Sequence, residues 1–135
     1  MCLYIKRDQK SKICRRNIKS YKVCVLCNGA LNTFYQEVPI VIGETYISAI
    51  EGGESLWSSK SIAIGVALHS FISLRKLLEA INIDRDDVRV VECIIPKGSE
   101  YYLGEFESKN DAYASNQLTY VRIVDIETIL KARKK

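Results

Sequence analysis

Two cysteines three positions apart (Cys24 and Cys27), a lone histidine beside a serine (His69 and Ser70) and a glutamate inside an apolar run (Glu92) are the residues whose types and spacing could do chemistry. Cys24-Val-Leu-Cys27 has the spacing of half a zinc knuckle or of a redox pair. Zinc needs four ligands, and the remaining candidates, Cys2, Cys14, Cys93 and His69, contain no second closely spaced pair. The motif also sits among strand formers, where side chains three apart point to opposite faces, whereas a redox pair favours a helix N-terminus. Buried structural thiols are the simpler reading, and no metal or cofactor is expected. His69 with Ser70 or Cys93 invites a nucleophilic mechanism, but no nucleophile elbow or other local motif marks a base-orienting group or an oxyanion hole. No catalytic residue is therefore assigned. Gly52-Gly53 lies in an acidic stretch with no helix behind it, the wrong setting for cradling phosphate. Glu92 needs a paired cation among its apolar neighbours, with Arg89, Arg122 or Lys97 as candidates, while Glu100, Glu105, Glu107 and Asp111 read mostly as a solvated strand and loop.

Charge is distributed unevenly. Residues 1–22 hold eight Lys and Arg against Asp8 alone, a balance of +7, and the rest of the chain carries −3. This basic N-terminal arm suits a polyanion or an acidic protein face, and Lys6, Arg7, Lys10, Lys12, Arg15, Arg16 and Lys19 are its candidate partner-binding residues. Tyr4 and Tyr21 are available to stack on bases, so RNA or DNA contact is an expectation. The plainer alternative is a solvated hairpin whose charges aid solubility.

A chain of 135 residues with 47% hydrophobic content fits one domain with a real core. The longest apolar run, residues 62–68, falls far short of the roughly 20 needed to span a bilayer. With no export signal recognised and five cysteines in odd number, the expectation is a cytoplasmic protein with free thiols and no membrane contact.

The elements that must position these residues are mostly strands. Leu3 to Lys6 is a short strand candidate, and residues 21–27 end at Asn28-Gly29, a strong hairpin signal, with a return strand over 30–35. Residues 39–42 and 45–49 suggest a further strand pair bending near Gly43, which makes the first half a meander. Residues 51–55 read as the clearest flexible loop, extended past Trp57 by Ser58, Ser59, Lys60 and Ser61. Residues 62–68 suggest a buried strand, and Ser73 caps a helix over 74–83 with Leu74, Leu77, Leu78 and Ile81 at helical spacing. Residues 88–95 are apolar on both parities, as in a central strand. Strands over 100–103 and 118–124 follow, then a helix over 126–132 capped by Asp125. Together these predict an α+β fold: a bent or partly closed, mixed but mainly antiparallel sheet with one main helix and a short C-terminal helix.

The order Tyr21-Lys22-Val23, Phe34-Tyr35-Gln36, Ile42-Gly43-Glu44-Thr45-Tyr46, His69-Ser70-Phe71, residues 91–98 and Tyr113-Ala114-Ser115 with Leu118 resembles a loose family of small uncharacterised proteins of Bacteroides-type bacteria and their phages. The resemblance implies a phage or mobile-element accessory protein. In that setting inhibitors of host defence, anti-CRISPR proteins among them, bind a host protein or ribonucleoprotein, its guide RNA or a signalling nucleotide without catalytic machinery. A fainter resemblance, to the ADP-ribosyltransferase fold, implies a nucleotide cleft of Tyr21, His69, Ser70, Glu92 and Gln117, with Gln117 standing where a catalytic glutamate is expected. The leading expectation is a non-enzymatic binding protein; a degenerate nucleotide-binding domain and a structural virion protein are the alternatives.

Overall fold

Residues 18–27 and 88–95 place apolar side chains on both parities, so strands made from them have two faces to bury. In the computed structural model, which describes residues 3–34, 38–54 and 60–133, these segments are β3 (Ile18–Cys27) and β9 (Val88–Ile95). They pair antiparallel from Ile18↔Ile95 to Val25↔Val88. One face buries Val23, Val25, Val88 and Val90, and the other buries Cys24, Val91, Cys93 and Ile95. Beyond β3, Asn28 and Gly29 take φ of 53° and 78°, the two positive values of a type I′ turn, and β4 (Ala30–Thr33) returns alongside. Tyr35, in the return strand expected from the sequence, lies outside the described residues.

From this pair the large sheet extends both ways. β12 (Gln117–Ile123) flanks β9 and carries β5 (Thr45–Ile47) at its outer edge. The second edge of β3 meets β8 (Leu68–Phe71) at Tyr21↔Phe71, followed by β11 (Ala112–Ser115), β10 (Glu100–Gly104) and β2 (Lys12–Ile13). β11 and β12 stand on opposite sides of the central pair, yet Asn116 alone connects them in the chain. The sheet must therefore curl, and because no ladder joins β11 to β12 it is bent but not closed.

A second sheet of three strands, in the order β1 (Leu3–Lys6), β7 (Ser61–Val66) and β6 (Glu51–Glu54), brings Leu3, Ile5 and Ile64 onto the Val23/Val90 face. Every ladder among the described residues is antiparallel. Helix α1 (Leu74–Ala80) covers the same face with Leu74 and Leu77, and the Ser73 hydroxyl accepts from Lys76 N at 3.1 Å as its cap. It ends at Ala80 rather than residue 83 because Ile81 is already extended, with φ −126°. Helix α2 (Ile126–Arg133) is capped by Asp125, whose Oδ1 accepts from Thr128 N at 2.8 Å. The α+β class with a bent, mainly antiparallel sheet is thus the observed one. No helix among the described residues is long and apolar enough to cross a membrane.

Four local expectations change. Residues 39–42 and 45–49 do not pair with each other: β5 joins β12 instead, where Tyr46 stacks edge-on against Tyr120 at 5.4 Å and the Thr45 and Thr119 hydroxyls meet at 2.7 Å. The first half is consequently not a meander, since its strands are shared between two sheets. Residues 51–54 are strand rather than loop, held by the β7 ladder and by the Arg7–Glu54 ion pair, while Ser55, Trp57, Ser58 and Ser59 lie outside the described residues. The apolar run 62–68 divides at Ala67 because the chain there leaves the small sheet for the large one.

The two sheets touch where Tyr4 and Glu105 exchange backbone hydrogen bonds of 2.8 Å in each direction. Gly104 sits beneath this contact, and a Cβ there would stand 2.6 Å from the Tyr4 carbonyl oxygen and 2.9 Å from side-chain atoms of Leu3 and Ile5. Gly104→Ala is expected to destabilise the protein by about 2 kcal/mol or more, as overpacking against rigid backbone does. Urea unfolding of the variant beside the parent checks this; an unchanged midpoint would refute it.

Candidate functional site

Most of the basic N-terminal segment is built into the sheets rather than hanging free. β1 is in the small sheet, β2 pairs with β10 at Tyr101↔Lys12, and residues from Ile18 onward enter the central strand. Between β2 and β3 the chain is pinned to the 96–99 turn. Cys14 N donates to Ser99 O and Gly98 N to Cys14 O, each at 2.9 Å, and Asn17 Oδ1 accepts from Lys97 N at 2.9 Å. Burial of Cys14 fixes this excursion, and its charged neighbours must then face outward. Lys12, Arg15, Arg16 and Lys19 line an open groove of about 1170 Å³, whose wall carries Tyr101 and Tyr113 packed edge to face at 5.7 Å. A second hollow, sharing Lys12 and Tyr101, adds Lys6, Lys10 and Lys109.

The seven expected partner-binding residues are therefore not equivalent. Arg7 is turned to Glu54, with Nη1 donating to Oε1 at 3.0 Å, and Lys19 lies 3.6 Å from Glu92. Lys6, Lys10, Lys12, Arg15 and Arg16 are exposed and form no salt bridge among the described residues. Of the two tyrosines proposed for stacking, Tyr21 lies in the central strand against the core; the groove uses Tyr101 and Tyr113 instead.

The alternative nucleotide cleft is not assembled. Tyr21 is the cross-strand neighbour of Glu92 and lies beside Phe71, but Ser70 and His69 are adjacent in β8 and point to opposite faces. Gln117 begins β12, beyond the Thr119↔Ile94 pair and several residues along the ladder from Glu92. Glu92 has its counter-charges, since Arg122 Nε and Nη2 each donate to it at 3.3 Å and Lys19 completes the cluster. Arg122 was among the expected partners; Lys19 was not. Asp111, expected in a solvated loop, is buried and organises that loop by accepting from the backbone N–H groups of Phe106, Glu107 and Ser108 at 2.8–3.0 Å. Cys24 is buried and Cys27 exposed, on opposite faces of β3, and burial pushes the Cys24 thiol up to about 11, away from thiolate chemistry.

A further site is not apparent from the sequence. The edge of β3 changes neighbour, pairing with β8 at Tyr21 and with β4 from Cys24 onward, and the fork between them opens a cavity of about 120 Å³ at Lys22 and Val23. Lys22 Nζ donates to the His69 carbonyl at 2.7 Å, and burial lowers its pKa. The signal was present in Ser20-x-Lys22-x-Cys24, a lysine on the same parity as buried small residues, but the count of basic-arm charges absorbed it. No family model, curated protein or solved structure matches this chain.

His69 is buried with Nε2 3.1 Å from Ile64 O, an acceptor, so the proton is on Nε2. Burial first, and then the Lys22 charge, lower its pKa to about 4. The fold thus holds His69 neutral, and the unfolded chain binds a proton more readily between pH 6.5 and 4, so stability falls as pH drops through that window. The loss amounts to about 3 kcal/mol. His69→Gln, which keeps a donor for Ile64, is expected to flatten the difference; parallel pH-stability curves for the two proteins would refute it.

Proposed function

We propose that this protein is a non-enzymatic binding protein that engages single-stranded nucleic acid, RNA in particular, through the groove between β2 and β3. The observation that carries this reading is the convergence of Lys12, Arg15 and Arg16, which have no acidic partner among the described residues, on a wall bearing Tyr101 and Tyr113. Cationic side chains track a phosphate backbone and release its counterions, while aromatic faces accept bases without demanding a sequence. Lys6, Lys10 and Lys109 lengthen the track beyond Lys12, and exposed Ile13 gives it an apolar surface. The groove is open rather than enclosed, which suits a flexible strand that lies across it. Since Arg7 and Lys19 have acidic partners, the residues left for phosphate are Lys6, Lys10, Lys12, Arg15 and Arg16. In the phage or mobile-element setting that the sequence resemblance implies, the target would be the RNA of a host defence ribonucleoprotein, and occupying that RNA would inhibit the system.

Fluorescence anisotropy with a labelled uridine oligonucleotide of about a dozen nucleotides, a length within the range of known single-strand sites, tests this directly. Affinity should fall steeply with salt. Replacing Lys10, Lys12, Arg15 and Arg16 by Ser should reduce the log–log salt slope by about 3, near 0.7 for each phosphate that is no longer neutralised. Absence of binding at low salt, or a slope the replacement leaves unchanged, would sink the proposal.

A further inference from the structure

The fork beside β3 is built from different residues and stands apart from the basic groove. Where β8 and β4 part, the cavity is walled mainly by apolar side chains such as Phe34, Ile40, Leu68, Phe71 and Ile81, with Thr33, Tyr46, His69 and Tyr120 as polar neighbours and Lys22 as its cation among the described residues. Its ammonium has three donors, and the structure gives one acceptor, the His69 carbonyl. No carboxylate lines the cavity among the described residues, and the titratable groups facing Lys22, the Cys24 and Cys93 thiols and His69, are all held neutral by burial. A second group is also incomplete: Tyr120 lines the cavity, is fully buried, and its hydroxyl has no hydrogen-bond partner among the described residues.

An amine half-buried against an apolar wall without a counter-charge among the described residues is costly, and a buried hydroxyl without an acceptor adds to that cost. An occupant that brings a negative charge and a small apolar body offsets both and fills the space. We propose that the fork is a binding site for a small monocarboxylate with an aromatic or branched apolar tail. The carboxylate pairs with Lys22, and the tail packs against Phe34, Ile40, Phe71 and Ile81. The volume of about 120 Å³, below the about 150 Å³ of an apolar protein cavity that accepts benzene, limits that tail to one aromatic ring at most. Lys22 binds here as a charge and donor, and no covalent step is involved.

Isothermal titration calorimetry of the full chain with benzoate, and with benzamide as the uncharged counterpart of the same shape, tests the assignment without any variant. Benzoate should bind at least about tenfold more tightly, a difference of about 1.4 kcal/mol. Lys22→Met, which keeps the length of the side chain and removes its charge, should abolish that preference while leaving benzamide binding and the thermal melt near those of the parent. The variant with Lys12, Arg15 and Arg16 replaced by Ser should keep benzoate affinity, which places the carboxylate in the fork and not in the groove. Equal affinity for benzoate and benzamide, a Lys22→Met protein that still prefers benzoate, or no benzoate binding in the millimolar range would each overturn the proposal. Reductive trapping of benzaldehyde on Lys22 in a protein that does not bind benzoate would overturn it in favour of carbonyl capture.

Discussion

The β3–β9 ladder is the constraint on which the rest of the molecule depends. Eight register pairs put these strands side by side with both faces covered, so the charged side chains they carry toward the interior need a partner at a neighbouring strand or in a gap. Glu92 finds Lys19 and Arg122 on the two strands that flank β9. Lys22 finds the His69 carbonyl in the fork. The two charged positions that a buried pair would otherwise reject thus explain a surface ion cluster and an internal cavity at once.

The same ladder divides the labour between the two sheets. On one face the small sheet and α1 supply Leu3, Ile5, Ile64, Leu74 and Leu77, which leaves the opposite face to be closed by the sheet's own curvature and by Tyr46 and Tyr120. Because residues 12–18 skirt the edge of that curved sheet, their charges collect on one side instead of dispersing around the molecule. Polarity of the surface is a by-product of how the core is closed.

Local chemistry made much of this visible in the sequence. The Asn28-Gly29 turn, the Ser73 and Asp125 caps and the double-sided apolar pattern of 88–95 each carry their instruction within a few residues, and each appears where expected. Partner choice does not have that property. Thr45–Ile47 reads as half of a local hairpin until Tyr120 is seen to offer its ring a better surface, and Glu51–Glu54 reads as loop until β7 and Arg7 are placed beside it. The candidate groove was legible as charge but not as shape, since Tyr101 and Tyr113 come from strands some ninety residues further along the chain. Lys22 was hidden by its company: counted with seven exposed cations, it is the one of the eight whose side chain enters a cavity among the core strands.

The single-residue link at Asn116 has a mechanical meaning. Two peptide steps reach about 7 Å, so the end of β11 and the start of β12 are tethered however the intervening strands move. The curled sheet behaves as a clasp with one riveted side. Among the described residues the sheet has no such tether at the opposite seam, where β4 and β8 share β3 as a neighbour without bonding to each other. The cavity opens at that seam, so a place where the sheet's hydrogen bonding is interrupted is also where its core is incompletely filled.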